Sequence, residues 1–417
     1  MKKRKILSLL LIITILTLSL SSCLGFNFDL DDDDDDDDSL LDGEINVQGG
    51  DNYDITIDSS ATSDVLAASK ALLSAVSVWC SFECYQYGAF GQVSGTTART
   101  SAGAGVIYDI NKNTGDAYVI TNYHVVYDAA STAKNKISKD IILFLYGQEE
   151  TSYAIPATYV GGSMQYDLAL LRIDNSKVLM ESNAVAAKFA NSDEVAVLET
   201  AIAIGNPESK GISATVGHVN VDSEYITMLG SDNTTEVKLR VIRTDAAVNS
   251  GNSGGGLFNS KGELIGIVNA KMNDSSIDNI GYAIPSNVVL AVMKNIKDNC
   301  EGKDKECVYR CVLGVTVTAG RCYTLYDKET GKLLKMEEVV AEEVSKSGAA
   351  NGIMKKGDVI NSITIDGVTY GVTRIHHIID YMLNARVGST VVINVTRDGT
   401  TMNVQIQATE SMFYDYT

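Results

Sequence analysis

The chain has 417 residues, of which 45% are hydrophobic and 21% charged, a composition typical of a globular protein long enough for two domains. Its formal net charge is −19 and no segment forms a basic patch, which argues against a nucleic-acid partner. The acidic excess is uneven, because residues 23–58 hold fourteen Asp and Glu residues and no Lys or Arg.

The N-terminal residues have the pattern of an export signal. Residues 2–5 are all basic, and the apolar run at 6–20 is shorter than the roughly 20 residues of a membrane span. The LSSC that follows at 20–23 resembles the bacterial lipobox, which implies a lipid on Cys23. We therefore expect residues 1–22 to be a lipoprotein signal peptide, with Cys23 holding the exported protein on the outer face of the bacterial cell membrane. An ordinary secretory signal is the alternative.

Residues 23–62 contain too little apolar sequence to form a core. The eight consecutive aspartates at 31–38 repel one another, which predicts a disordered, Asp-rich tether. Calcium binding by this run is the alternative, although flexible carboxylates lack a preformed cage.

The body at 63–298 is predicted to be mostly β. After a short helix starting near Ser63, β-branched runs alternate with Gly, Asn and Asp, as in a sandwich or barrel. A helix follows Pro285, which suits its first turn. The predicted strands cover 75–82, 105–110, 117–121, 140–146, 154–160, 168–173, 201–204, 213–221 and 237–243.

Three polar side chains in this body have the order of a catalytic triad. Ser253 lies among glycines, His124 follows one apolar strand, and Asp167 precedes another. Ser253 would attack a carbonyl carbon, His124 would take its proton, and Asp167 would hold the imidazole. The loop Gly251, Asn252 and Ser253 would form the oxyanion hole, with the N–H groups of Gly251 and Ser253 as donors.

Two other functions fit parts of this pattern. Residues 251–255 also match the GxSxG elbow of hydrolases, with His376 or His377 following, but that elbow needs alternating strands and helices. A non-enzymatic binding or chaperone-like module with a poorly organised site is the second alternative. The chain has no HExxH motif and no His/Cys ligand spacing, so we expect neither a metal nor a cofactor.

Several segments resemble the signature segments of HtrA/DegP-type serine proteases. They are TNYHVV (121–126), DLALL (167–171), AIGNP (203–207), TDAAVNSGNSGG (244–255), SAGAGVI (101–107) and GYAIPS (281–286). The resemblance implies a trypsin-like domain of two six-stranded antiparallel β-barrels with the triad in the cleft between them. It also implies cleavage of unfolded or damaged exported proteins, a homotrimer, and a substrate strand formed by Val268, Asn269 and Ala270.

The sequence departs from that family at two positions of the serine loop. Ser250 and Gly256 stand where the family usually has proline. Both changes predict a less rigid loop, and we hypothesise that ordering of this loop regulates activity.

Residues 312–410, after a linker at 299–311, resemble the PDZ domain that HtrA-type proteases carry. We predict a small α+β fold with a helix over 373–384 and an insertion within 317–339. The resemblance implies that C-terminal peptides add as a strand, with their carboxylate held by Leu313, Gly314 and Val315. It puts His376 and His377 on the helix beside the groove, where a surface position is the simplest expectation.

Six cysteines other than Cys23 leave disulfides, a zinc site and free thiols open. Cys80 and Cys84 would be about 13 Å apart in one continuous strand, beyond the roughly 7 Å limit for a disulfide. They could pair only if the chain turned after Phe82.

Overall fold

A closed antiparallel barrel forms the first half of the protease body in the computed structural model, which describes residues 63–270, 280–300 and 308–417. Apolar side chains such as Val78, Leu143 and Leu171 point inward and are fully buried. The barrel order is β1-β2-β3-β6-β5-β4. The strands are β1 (Ala75–Tyr87), β2 (Val93–Asn111), β3 (Asp116–Thr121), β4 (Asp140–Leu145), β5 (Ile155–Ser163) and β6 (Leu168–Ile173).

A second closed barrel follows, with the order β10-β11-β12-β9-β8-β7. Its strands are β7 (Thr200–Gly205), β8 (Ser213–Leu229), β9 (Glu236–Thr244), β10 (Gly256–Phe258), β11 (Leu264–Val268) and β12 (Gly281–Pro285). The predicted fold class, two six-stranded antiparallel barrels, is therefore confirmed.

In the described part of the chain, four α-helices accompany the barrels: α1 (Ser63–Leu72), α2 (Tyr123–Val126), α3 (Lys177–Glu181) and α4 (Ser286–Cys300). The apolar positions of α4 recur at helical spacing and are buried in a core shared with both barrels. Pro285 is the last residue of β12 rather than part of the helix, so that detail of the prediction was wrong. Position 285 still marks the boundary, because proline cannot donate a ladder hydrogen bond.

The C-terminal domain is a β-sheet with one short helix, His377–Tyr381, which starts later than the predicted residue 373 and is followed by a 3-10 turn over Met382–Asn384. The sheet order is β14-β15-β16-β18-β19, and β17 pairs with β16. The predicted insertion is a long hairpin of β14 and β15, and β13 pairs separately with β20. The elements are β13 (Tyr309–Cys311), β14 (Val315–Tyr326), β15 (Leu333–Val344), β16 (Val359–Ile365), β17 (Val368–Gly371), α5 (His377–Tyr381), β18 (Thr390–Arg397), β19 (Thr400–Gln407) and β20 (Phe413–Asp415).

Of the three alternatives left open for the cysteines, the structure shows free thiols at four of the described positions, Cys80, Cys84, Cys311 and Cys322. Cys80 and Cys84 lie in the continuous strand β1, so the turn that pairing required is absent there. Burial raises the pKa of Cys84 to about 11 and that of Cys311 to about 11, which keeps both thiols protonated at neutral pH.

The predicted signal peptide, the tether and Cys23 lie outside the described residues. So does the polar loop at 271–279 that follows the predicted substrate strand. Within the residues that are described, no helix is both long enough and apolar enough to cross a membrane.

Candidate active site

His124 is presented by a one-turn helix at the end of a barrel strand. Strand β3 ends at Thr121, and α2 begins at Tyr123 after the buried Asn122. The sequence placed His124 at the strand end itself, whereas it lies in this helix with its side chain against the Asp167 carboxylate. Asp167 precedes β6 with a φ of 48°, a left-handed conformation that Asp tolerates better than most residues.

The Asp167 carboxylate is buried and accepts three hydrogen bonds. Its Oδ2 lies 2.7 Å from Nδ1 of His124, and its Oδ1 accepts from the His124 backbone N–H at 3.0 Å. Asn269 donates its side-chain N–H to the same Oδ2 at 2.7 Å. Because an ionised carboxylate only accepts, the His124 proton lies on Nδ1, and the lone pair of Nε2 is left available as a base.

Two asparagines hold this acid in place. Asn122 donates its side-chain N–H to the Asp167 carbonyl at 2.8 Å, and both Asn122 and Asn269 are fully buried. Sequence reasoning treated Asn122 only as part of a motif and Asn269 only as part of the substrate strand. The position of Asn122, a polar amide directly before the segment that contains His124, was the one sequence feature that could have indicated its role.

The Ser253 loop is pinned between the two barrels. The Ser253 carbonyl accepts from Ala104 N–H at 2.8 Å, and Gly254 N–H donates to Val268 at 3.0 Å. Gly254 has a φ of 85°, and an added Cβ would lie 2.2 Å from the Ala104 carbonyl oxygen. Only glycine therefore fits at this point of the loop.

The Ser253 hydroxyl is held by the neighbouring strand end. It accepts from Ala270 N–H at 3.2 Å, and among the described residues it makes no hydrogen bond to His124. Val268 ends β11, and Asn269 N–H donates to the Tyr282 carbonyl at 2.9 Å. Because a hydroxyl can accept one hydrogen bond and donate another, this contact leaves the Ser253 proton available, and catalytic hydrogen bonds are often long in unliganded enzymes.

The backbone N–H groups of the predicted oxyanion loop differ in whether they already donate a hydrogen bond. Asn252 N–H donates to the Asn249 carbonyl at 3.0 Å. The amides of Gly251 and Ser253 have no hydrogen-bond partner among the described residues. Gly251 has a φ of 95°, and a Cβ there would lie 2.1 Å from the Asn206 carbonyl oxygen.

The two departures from the proline pattern have different surroundings. The Ser250 carbonyl accepts from Glu208 N–H at 2.9 Å, which ties the loop to the neighbouring turn. A Cβ at Gly256 would lie 2.3 Å from the Phe258 ring, so a larger residue there would have to displace that ring. The adjacent Phe258 is thus a physical reason for glycine at 256.

The predicted carboxylate loop of the PDZ domain is a tight turn. Gly314 has a φ of 77°, and a Cβ there would lie 2.5 Å from the Gly348 Cα. The Leu313 carbonyl accepts from Ala350 N–H at 3.0 Å, and Val315 begins β14. Among the described strands β14 pairs only with β15, so its other edge is open to strand addition.

His376 and His377 are not surface residues. They are 5% and 3% exposed and lie against the second barrel, where Asp193 Oδ1 is 3.7 Å from His377 Nε2. The surface expectation was wrong because the sequence gives no sign that this helix packs on another domain.

Comparisons with known proteins agree with this geometry. Residues 103–267 match the trypsin-like peptidase domain, and residues 312–408 match the PDZ domain. The chain is 30% identical over 356 residues to the serine protease Do-like HtrA of Bacillus subtilis, covering 84% of this chain and 73% of that relative. The chain belongs to the HtrA family of serine proteases. It is therefore a serine endopeptidase, and a non-enzymatic module is not favoured.

Other HtrA proteins are similarly close. The serine protease Do-like HtrA of Lactococcus lactis strain IL1403 is 31% identical, over 77% of this chain and 75% of that relative. The periplasmic serine endoprotease DegP of Escherichia coli K12 is 33% identical, over 74% and 57% respectively. The solved HtrA-type protease AlgW with tripeptide superposes with a TM-score of 0.50 at 26% identity, over 84% of this chain and 97% of that structure.

Proposed function

We propose that Ser253, His124 and Asp167 are the catalytic triad of this HtrA protease. Ser253 Oγ attacks the scissile carbonyl carbon, and its proton passes to Nε2 of His124. His124 then gives that proton to the leaving amine as the C–N bond breaks, which leaves an acyl-enzyme ester. Water hydrolyses the ester by the same steps. The 2.7 Å contact between His124 Nδ1 and Asp167 Oδ2 is the observation that carries the proposal.

The oxyanion would be held by the amides of Gly251 and Ser253. Their N–H groups have no partner among the described residues, so they can donate to an oxygen that becomes negative in the tetrahedral intermediate. Asn252 belongs to the predicted loop but was not one of its two predicted donors, and its N–H is already bonded to the Asn249 carbonyl.

We expect Asn269→Ala to lower kcat by roughly ten- to a hundredfold with little change in KM. The amide orients the carboxylate that orients His124, and small misplacements of catalytic groups cost up to about a hundredfold. Asn269→Ser, which keeps a shorter donor, should recover part of the activity. Peptidase kinetics across pH test this, with the exposed Asn361→Ala as the matched control. Normal kcat in Asn269→Ala would show that the contact has no positioning role.

The substrates we propose are unfolded or damaged exported proteins. Ser253 is buried in a loop that is bonded to both barrels, so we expect only an extended backbone to reach it, and native proteins rarely offer one. The E. coli relative is named a periplasmic endoprotease. The test is digestion of one disulfide-bonded protein in its native and its reduced, alkylated forms. We expect the unfolded form alone to be cleaved at an appreciable rate, and equal rates for both would contradict the proposal.

We propose that the PDZ domain binds C-terminal peptides along β14. Gly314→Val should weaken binding of such peptides by at least about tenfold, because the side chain would enter the Gly348 contact and rearrange the carboxylate loop. Peptides with an amidated C-terminus should lose a similar factor. Fluorescence anisotropy measures both effects.

Gly331→Val provides the matched control for this substitution. Gly331 also has a positive φ, but it lies at the far end of the β14–β15 hairpin with no atom within 4 Å of an added Cβ. Equal peptide affinity in both variants would reject Gly314 as part of the binding loop.

We also propose that the protein is exported, anchored by a lipid on Cys23 and assembled as a homotrimer. The LSSC at 20–23 supports the anchor, and the family resemblance supports the trimer. Cell fractionation of Cys23→Ser and light scattering of the purified protein test the two parts separately. A soluble fraction unchanged by the substitution would contradict the anchor, and a monomeric mass would contradict the trimer.

A further inference from the structure

Charged side chains are buried where the PDZ domain meets the second barrel. Arg240 of β9 lies 2.8 Å from Asp380 of α5, and their side chains are only 4% and 8% exposed. A second pair joins Arg374 of the PDZ domain to Asp222 of β8 at 2.6 Å. Because buried charges are costly to desolvate, these ion pairs do not by themselves show how strongly the two domains are held together.

We call this contact between the PDZ domain and the second barrel the seam. The adjacent residues His376 and His377 lie inside it. The rings of His376 and His377 are 4.7 Å apart and nearly perpendicular. Thr373 N–H donates to His377 Nδ1 at 3.2 Å, so that nitrogen carries a lone pair. The neutral ring then has its proton on Nε2, which faces Asp193 at 3.7 Å.

This arrangement does not present a metal-ligand set, although Asp193, His376 and His377 have ligand atoms within 4.8 Å of one another. With Nδ1 of His377 accepting a hydrogen bond, its Nε2 carries a proton instead of a lone pair. The Arg240 guanidinium also lies 3.7 Å from the Asp193 carboxylate. A cation would have to displace both the proton and the arginine.

Burial makes the protonated histidines unfavourable here. It lowers the pKa of His377 to about 4, with Asp193 raising it and Arg240 and Arg374 lowering it further. Burial also lowers the pKa of His376, and the nearby cations add to the effect. The pKa of Asp380 is shifted in the opposite direction. Burial raises it to about 6, although the positive charge of Arg240 lowers it.

Both domains contribute charged groups around the histidines. The second-barrel side provides Asp193 from the 3-10 turn Ser192–Glu194, Asp222 from β8 and Arg240 from β9. The PDZ side provides Arg374, Asp380, and the β15 residues Lys335 and Glu337.

We propose that this seam is an acid-released latch, in which the neutral pair His376 and His377 keeps the PDZ domain on the second barrel and protonation of the pair releases it. The latch concerns the contact between the domains and goes beyond peptide hydrolysis, and only the use of Ser253→Ala in its test rests on the proposed triad.

The expected pH dependence follows from proton counting. A histidine exposed by release titrates near its ordinary pKa of 6.5, whereas in the seam it stays neutral to a lower pH. Each histidine therefore weakens the docking of the PDZ domain on the second barrel as the pH falls below 6.5. Asp380, whose pKa is raised in the seam, takes up a proton on docking and strengthens it between about pH 6 and 4. Docking of the PDZ domain therefore releases two protons from the histidines and takes up one on Asp380, a net release of one proton. The equilibrium constant for docking should then fall about tenfold for each unit by which the pH is lowered in this range.

Amide hydrogen exchange can measure this release. Helix α5 has five residues, too few for a stable isolated helix, so protection of the Ile379 and Asp380 amides depends on its packing against both the PDZ core and the second barrel. The full chain with Ser253→Ala, which prevents self-digestion, would be compared at pH 4 to 7.5 after correction for intrinsic exchange. The β18–β19 hairpin of the same domain serves as the internal reference.

We expect α5 protection to fall about a hundredfold from pH 6 to pH 4, with the hairpin unchanged. His376→Gln and His377→Gln should each flatten the dependence of α5 protection on pH. In either variant, docking releases one proton from the remaining histidine and takes up one on Asp380. The double variant should reverse the slope, and the exposed His218→Gln should match the parent.

Three results would overturn the latch. The first is protection of α5 that follows the hairpin at every pH in the parent. The second is an acid-dependent loss that persists in the double variant. The third is loss of protection at pH 7.5 in both single variants, which would make the histidines packing groups rather than titrating ones.

Discussion

Ser253→Ala is expected to lower kcat/KM for an unfolded protein substrate by about 10⁴-fold or more. The substitution removes the attacking oxygen, and only substrate binding and the oxyanion donors would then remain to give residual catalysis. The loop should keep its shape, because its Ala104 and Val268 hydrogen bonds are made by the main chain. The measurement is the cleavage rate of a reduced, alkylated protein by the full chain.

Ser250→Ala is the matched control for this experiment. Ser250 lies three residues earlier in the same loop, is exposed, and contacts Glu208 only through its carbonyl oxygen. Its rate should stay within about twofold of the parent, as for most surface substitutions. Similar losses in both variants would indicate a disturbed loop rather than a missing nucleophile.

Asp167→Asn is expected to lower kcat by about 10⁴-fold while leaving KM nearly unchanged. An asparagine can present its N–H₂ group to His124 Nδ1, which moves the ring proton to Nε2 and removes the base that Ser253 needs. The Asn269 and His124 N–H donors that now converge on the carboxylate would also face a neutral amide. Steady-state kinetics with a peptide substrate separate kcat from KM.

Asp174→Asn is the control for the loss of one negative charge. Asp174 lies just beyond β6, is exposed, and pairs with Arg172 at 3.0 Å. We expect near-parent activity from this variant. If Asp167→Asn retained more than about a tenth of the parent kcat, Asp167 could not have the triad role assigned to it.

Local apolar patterns predicted strands β1 to β9 of the barrels, but they missed the polar extensions of some of these strands. Strand β6 matches the predicted 168–173, because its run of leucines is buried on both faces. Strand β2 starts at Val93, well before the predicted 105, since its small and polar residues pair with β1 through the main chain. Strand β8 likewise continues to Leu229, paired with β9 where its side chains are mostly exposed.

The sequence predicted the site residues that lie in recognisable motifs. It did not predict the contacts between residues that are far apart along the chain. The residues of the proposed triad were named from their order and surroundings, and the structure brings His124 and Asp167 into contact. The contact of Asn269 with Asp167 joins residues 102 positions apart, and no local pattern indicates it. The burial of His376 and His377 depends on how the PDZ domain packs on the second barrel, which helical periodicity does not encode.

The most direct test of Ser253 as the nucleophile is labelling by a fluorophosphonate, followed by mass mapping of the modified peptide. We predict one adduct, on Ser253, in the parent chain, none in Ser253→Ala, and strongly reduced labelling in His124→Ala, because the hydroxyl then lacks its base. An adduct on a different serine, or equal labelling of the parent and Ser253→Ala, would contradict the assignment.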